Sequence, residues 1–291
     1  MQAYGRPVQR AARFWRSREG ALVLPALAFY LLVYVYPLGK MAGWSFFDHG
    51  FTLKFWRELA GESMYFKALS NTLEISVLVT AITLLLGYPL AYLMTTTTAR
   101  ARRVLTVLIL IPFWTSVLVR TFAWLVILGR NGLVNNALVA LGLVAEPQKL
   151  LFNMFGVQVG MVQVLLPFMV FPLYAVMSRI DLNVIRVARS LGAPPYRVFV
   201  HVFLPLSLPG VAAGCIIVFL LAVGFYVTPA LLGGPGQITL ATMIDMMITT
   251  FLNFGFAATL GLLLLAVVAG IFALVSALFG LNRIVGGAAS K

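Results

Sequence analysis

The sequence predicts an all-α membrane protein with six transmembrane helices. Hydrophobic residues make up 62% of the 291 residues and charged residues only 10%, which leaves too few polar side chains to cover a soluble globule of this size. A bilayer core about 30 Å thick requires roughly 20 apolar residues in a helix. Runs of this kind lie near residues 21–43, 71–95, 104–128, 157–178, 208–229 and 257–281.

Two shorter apolar stretches lie between these runs. Residues 133–143 carry apolar side chains at helical spacing, which favours a helix at the membrane surface over a seventh span. Residues 238–252 are interrupted by Asp245 and follow a turn rich in glycine. This stretch is too short for a regular span, and we therefore expect a re-entrant segment there.

Positive charge is distributed unevenly between the two sides of the predicted bundle. Two thirds of the 21 lysines and arginines fall on the side that holds both termini and the loop 179–207, whereas most acidic residues fall on the other side. Cytoplasmic loops retain positive charge, so both termini and this loop are predicted to be cytoplasmic. The net charge of +13 therefore requires no nucleic-acid partner. The predicted organisation is a basic segment at 1–20, a transmembrane domain at 21–283 and a tail at 284–291.

The sequence lacks the residues that several classes of function require. The single cysteine, Cys215, lies in an apolar run, so a disulfide framework is excluded. His49 and His201 are predicted on opposite sides of the membrane, which disfavours a histidine metal site. The sequence contains no G-x-x-x-x-G-K-[ST] loop for binding phosphate. We therefore expect a transport subunit without catalytic residues, and a separate chain would have to hydrolyse any ATP.

The loop between the fourth and fifth runs predicts two short helices joined by a turn. Asp181 can cap the first helix, and Gly192 permits the turn that ends it. Pro205 and Pro209 are expected to separate the second helix from the fifth span. Apolar side chains lie along one side of each helix and require burial against either the rest of the bundle or another protein. The spacing leaves both of these open.

The same loop resembles a motif of a known family. The segment from Val187 to Ala193, VARSLGA, followed by Phe199 and Leu204-Pro205-Leu206, is similar to the "EAA" loop of ABC-importer permeases. In that family the loop forms a coupling helix that docks on the ATPase subunit. The resemblance implies a coupling role for Arg186, Ala188, Leu191, Gly192, Ala193, Phe199 and Pro205.

Further segments resemble the spermidine/putrescine subfamily of these permeases. They are Ile111 to Thr115, Leu118 to Phe122, Gly129 to Gly132, Leu166 to Met169, Thr228-Pro229 and Leu232 to Gly234. The resemblance implies a MetI-like type I ABC permease fold in the bacterial inner membrane and uptake of polyamines by alternating access. It also implies a homologous second permease, two ATPase subunits that hold ATP and magnesium, and a periplasmic or extracellular substrate-binding protein. No cofactor is expected in this chain.

One position departs from the motif. Arg186 stands where the family usually has a glutamate, and Val187 replaces the first alanine. Because a reversed charge cannot make the same contact, we hypothesise that the groove of the ATPase carries a compensating acidic residue.

The substrate path is predicted from acids and aromatic residues in the apolar runs. An ionised carboxylate at mid-bilayer costs about 2.5–3.5 kcal/mol, so such acids face a cavity, a partner or a substrate. Glu74 and Asp245 are the candidates. The structural alternative for either acid is a side chain that snorkels to the interface or forms a salt bridge, for instance with Arg120 or Arg130. Aromatic faces also attract ammonium groups, although packing or a place in the interfacial belt is the more common role for aromatic residues in spans. The aromatic candidates are Phe113, Trp114, Trp124 and Tyr226.

Three other interpretations compete with polyamine import. The main rival keeps the ABC architecture and changes the cargo to thiamine, an opine or iron, since two acids favour a cation only weakly. A secondary transporter would need internal inverted repeats, and the two halves show no convincing duplication. An ion channel would show a repeated filter or a charged ring, which the sequence lacks.

Overall fold

The computed structural model describes residues 18–47 and 50–279, and its regular structure in these ranges is helical. Five helices in the described part are long and apolar enough to cross a membrane, and a bent helix pair supplies a sixth crossing. The all-α class and the six spans are thus confirmed. The predicted tail 284–291 and most of the basic segment 1–20 lie outside the described residues.

The spans are numbered here in chain order. The first span comprises Arg18–Tyr30, a π turn at Leu31–Val35 and Tyr36–Phe46. The second is Ser63–Thr96, the third Ala99–Leu110 with Ile111–Trp114 and Val117–Ile127, the fourth Met154–Met177, the fifth Leu204–Val223 and the sixth Phe254–Phe279. In the described ranges, four short α-helices connect the spans on the side opposite the loop 179–207: Lys54–Gly61, Leu133–Ala140, Val227–Leu232 and Leu240–Thr249.

The third span is broken in the middle. The apolar run predicted near 104–128 forms two helical halves that meet at an angle of 97°. Pro112 cannot donate a backbone hydrogen bond, and a single 3₁₀ turn follows. Thr115 and Ser116 then adopt extended conformations before the helix restarts at Val117. The break opens the backbone at membrane depth.

The start of the fifth span also differs from the prediction. Pro205 does not separate the second loop helix from the span, because the helix is continuous from Pro195 to Val223. A π turn at Phe199–Phe203 makes this possible, with the amide of Leu204 donating to the carbonyl of Phe199 five residues earlier. The span ends at Val223 rather than 229, and a separate short helix follows at Val227–Leu232.

The core lies around the fourth span, which packs between the second and fifth spans. Met169 of the fourth span is fully buried and faces a glycine on each side. A Cβ atom at Gly87 would lie 3.0 Å from the Met169 Cγ, and one at Gly214 would lie 2.7 Å from its Sδ. Both glycines therefore allow the two outer helices to approach the central one closely.

A second apolar cluster joins the ends of the spans on the side of the short helices. Phe55 of the helix Lys54–Gly61 and Tyr65 of the second span pack with Leu240 and Phe256. The ring centroids of Tyr65 and Phe256 are 4.9 Å apart. This cluster fixes the helix Leu240–Thr249 against the second and sixth spans.

Candidate functional site

A short helix, Leu182–Ser190, projects from the end of the fourth span, and we call it the coupling helix. Its first turn is capped by Asp181, whose Oδ1 accepts a hydrogen bond of 2.9 Å from the amide of Asn183. Gly192 ends the helix with a φ of +83°, a conformation that favours glycine. The amide of Ala193 donates back to the carbonyl of Ala188 over 3.2 Å. The predicted cap and turn are confirmed.

The loop has an inner face and an outer face. On the inner face, Val198 is only 3% exposed, and Ile185 and Phe199 pack against the core. On the outer face, Leu191 is 82% exposed and Val187 is also exposed. The sequence left open whether the apolar side chains face the bundle or a partner. In the structure the inner-face side chains pack against the bundle, whereas Val187 and Leu191 remain exposed.

Aromatic packing joins the inner face to the second span. The ring centroid of Tyr92 is 5.8 Å from that of Phe199 and 5.1 Å from that of Phe203. The hydroxyl groups of Tyr88 and Ser207 lie 2.9 Å apart. The second half of the loop therefore contacts the second span through side chains and continues from Pro195 into the fifth span as one helix.

The remaining residues predicted for coupling occupy different surfaces. Ala188 and Ala193 border a pocket with Arg197 on the loop. Arg186 instead lines a cavity between the coupling helix and the ends of the spans. Its Nη1 donates to the Oδ1 of Asn183 over 3.3 Å. Pro205 is exposed in the first turn of the fifth span. The hypothesis of an acidic ATPase residue opposite Arg186 stays a prediction.

The predicted aromatic residues of the path lie near the helix breaks. Trp114, at the bend of the third span, is 86% exposed, and the ring of Phe113 packs 5.8 Å from that of Phe168. Tyr226 is exposed at the break that follows the fifth span. Trp124 differs from these, because its Nε1 donates to the Oε1 of Gln163 over 2.8 Å. Its polar edge is therefore engaged within the chain.

The two predicted acids lie on neighbouring elements. Glu74 is exposed on the second span, and Asp245 is partly buried on the helix Leu240–Thr249. The structure forms no ion pair within 4.0 Å between either acid and an arginine in the ranges it describes. The predicted salt-bridge alternative is therefore absent from this conformation, and both carboxylates are left for solvent or a ligand.

Hydrogen bonds that the sequence did not reveal hold these elements together. The side-chain amide of Asn71 donates to the carbonyls of Gly236 and Ile238 over 2.9 and 3.0 Å. The hydroxyl groups of Thr121 and Thr228 lie 3.4 Å apart and link the third span to the short helix after the fifth. No local signal marks these partners, because more than 100 positions separate the residues of each pair.

Polar atoms without a partner also lie in this region. In the described part of the chain, the Nε of Arg120 and the Oε1 of Gln158 are buried without a hydrogen bond. Within the same ranges, no three His, Cys, Asp or Glu side chains are grouped to hold a metal ion. The described helices therefore carry isolated buried polar atoms in this region.

The bundle of six spans, with a broken helix at membrane depth and an exposed helix at one end, defines a polytopic membrane transport subunit. Residues 84–285 match the family described as "Binding-protein-dependent transport system inner membrane component". The chain belongs to this family and is a multi-pass inner-membrane protein.

Relatives and solved structures agree with this assignment. The spermidine/putrescine transport system permease protein PotB of Haemophilus influenzae is 36% identical over 204 residues, which are 69% of this chain and 71% of the relative. A bacterial ABC transporter for import of the acidic polysaccharide alginate superimposes with a TM-score of 0.74 at 17% identity, covering 93% of this chain and 96% of its own. A second structure shows the alginate transporter in complex with its periplasmic protein, which holds an alginate pentasaccharide. It superimposes with a TM-score of 0.67 at 18% identity and covers 91% of this chain and 94% of the transporter chain. The predicted type I ABC permease fold is confirmed.

Proposed function

We propose that this chain is the permease subunit of an ATP-driven importer and that its cargo is a polyamine such as spermidine or putrescine. The observation that carries the proposal is the 36% identity to the spermidine/putrescine permease over 69% of the chain. The exposed carboxylate of Glu74 and the partly buried carboxylate of Asp245 support a cationic cargo.

The proposed mechanism is alternating access. Closure of two ATPase subunits pushes the outer face of the loop, where Val187, Leu191 and Gly192 are exposed. The aromatic contacts of Phe199 pass this movement to the second span. The helix from Pro195 to Val223 passes it directly into the membrane. Transport then requires two bundle arrangements that differ in their affinity for the solute.

The proposed orientation places the coupling helix and both termini in the cytoplasm. The distribution of arginine along the sequence supports it. The alginate transporter bound to its periplasmic protein supports a soluble receptor on the opposite side. A second, homologous permease and two ATPase subunits complete the proposed complex, in which ATP and magnesium bind to the ATPase subunits alone.

Purification of the full-length chain from its native membrane tests the architecture. We expect an ATPase chain to co-purify with it, together with a second permease. Isolation of the chain without any ATPase would count against the importer and favour a channel or a secondary transporter.

Uptake of radiolabelled putrescine and spermidine tests the cargo and the site together. We expect Glu74→Gln and Asp245→Asn each to raise the KM for uptake, because each removes a negative charge that attracts the cation. Glu58→Gln, on the short helix Lys54–Gly61, is the control and should leave uptake unchanged. Normal uptake in the Glu74→Gln, Asp245→Asn double variant would show that neither acid contributes to substrate binding. Competition by thiamine, an opine or iron in place of a polyamine would establish the rival cargo.

A further inference from the structure

Three arginine side chains line one cavity beneath the coupling helix. Arg186 and Arg189 come from the coupling helix, and Arg102 comes from the first half of the third span. The cavity has a volume of about 350 Å³ and is bordered by Thr96 and Ser178, at the ends of the second and fourth spans. It therefore lies at the level where helices leave the bilayer, the depth at which lipid head groups are found.

The positive charge of this cavity is not neutralised within the described chain. Arg102 donates to the hydroxyl of Tyr174 over 3.4 Å, and Arg186 donates to the side chain of Asn183 over 3.3 Å. Both acceptors are uncharged, and none of the three guanidinium groups pairs with a carboxylate in the described ranges. Three like charges around one cavity repel each other, so an anion bound among them is stabilised. The planar guanidinium group is well suited to phosphate oxygens.

An apolar groove begins where this cavity ends. The groove has a volume of about 740 Å³ and runs between the second span and the start of the fifth, from Tyr92 to Ala81 along the second span. It shares Tyr92 and Phe199 with the arginine cavity. Eleven helical positions correspond to a length of about 16 Å. A charged cavity at the bilayer surface that continues into an apolar groove matches the two parts of a lipid molecule.

We propose that an anionic phospholipid of the leaflet on the coupling-helix side binds here. Its phosphate lies among Arg102, Arg186 and Arg189, and one acyl chain lies in the groove. Basic pockets between transmembrane helices on the cytoplasmic side are a recognised setting for anionic head groups. The lipid would join the coupling helix to the third span, which no ion pair does in the described structure. The proposal depends on the membrane location of the chain and not on the identity of its cargo.

The test uses the full-length chain in its purified complex. Native mass spectrometry compares the binding of phosphatidylglycerol and phosphatidylcholine with identical acyl chains, added after removal of endogenous lipid. We expect a preference for phosphatidylglycerol, and Arg102→Gln should lower this preference about fivefold, since one arginine near the membrane surface contributes about 1 kcal/mol. Arg102→Lys should keep most of the preference. Arg103→Gln is the matched control, because Arg103 lies on the same helix, is exposed and does not line the cavity.

Each other outcome overturns the proposal. Equal binding of the two lipids by the unaltered complex would show that the cavity does not recognise the head group. Full competition by glycerol phosphate would assign the cavity to a soluble anion. If the Arg102→Gln complex loses its ATPase chain but keeps its lipid preference, the arginine cavity would instead bind an acidic residue of the ATPase. A second variant, Ala81→Trp, narrows the groove and should weaken the binding of both lipids. Unchanged binding would show that the acyl chain does not lie in the groove.

Discussion

The hydroxyl group of Thr72 accepts a hydrogen bond of 2.9 Å from the backbone amide of Leu240, 168 positions further along the chain. The same hydroxyl donates to the carbonyl of Ala68 over 2.7 Å. Thr72 is buried in the second span, and Leu240 begins the helix that carries Asp245. The hydroxyl of Thr72 therefore helps to hold the helix that carries the predicted substrate acid against the second span.

Replacement of Thr72 by valine should destabilise the protein by about 1–3 kcal/mol, because the shape is kept while a buried amide loses its acceptor. The midpoint of thermal unfolding in detergent measures this effect. Thr80→Val is the control, since the Thr80 hydroxyl bonds only within its own helix. Equal midpoints for the two variants would contradict a special role for Thr72.

Trp124 and Gln163 form a second link, between the third and fourth spans, with the indole nitrogen donating over 2.8 Å. We expect Trp124→Phe and Gln163→Leu each to lower stability, and the double variant to lose less than the sum of the two. A double-mutant cycle on the free energy of unfolding should return a coupling of about 0.5–1.5 kcal/mol. Additive losses would show that the hydrogen bond contributes nothing to stability.

Gly214 should tolerate no larger side chain, because a Cβ atom there meets the sulfur of Met169. Gly214→Val is expected to cost about 1–3 kcal/mol through overpacking. Met169→Ala in the same chain removes the opposing atoms and should restore part of the loss. Gly270→Val is the control, since a Cβ atom at Gly270 meets nothing within 4 Å. If Met169→Ala does not restore the stability lost in Gly214→Val, the loss does not arise from contact with the Met169 side chain.

The spans could be predicted from the sequence because each depends on local composition. An apolar run of sufficient length forms a helix in a bilayer whatever its neighbours are, since every backbone group must be satisfied internally. The cap at Asp181 and the turn at Gly192 were predictable for the same reason, because the residues that form them are adjacent.

The breaks and the contacts could not be predicted in this way. Pro112 and Pro205 carry the same local signal, yet the third span breaks by 97° whereas the fifth continues through a π turn. The arginine cavity likewise joins Arg102 to residues more than 80 positions away. Their common charge was visible in the sequence, but their proximity was not.

The role of the coupling helix can be separated from its stability by two glycines. Gly192 and Gly142 both adopt a positive φ, of 83° and 69°, and a Cβ atom at either would meet nothing within 4 Å. Alanine at either position should therefore introduce the same backbone strain, about 1–2 kcal/mol. Gly192 follows the coupling helix, whereas Gly142 follows the short helix Leu133–Ala140 on the opposite side.

We expect both variants to lower the midpoint of thermal unfolding to a similar extent, and only Gly192→Ala to impair coupling. If the strain is relieved by a shift of the coupling helix, the affinity of the complex for its ATPase should fall about 5- to 30-fold. ATP hydrolysis stimulated by the solute-loaded receptor, measured in proteoliposomes, should fall with it. Equal losses in the two variants would mean that strain alone limits activity, and normal coupled hydrolysis in Gly192→Ala would mean that the turn does not position the docking surface.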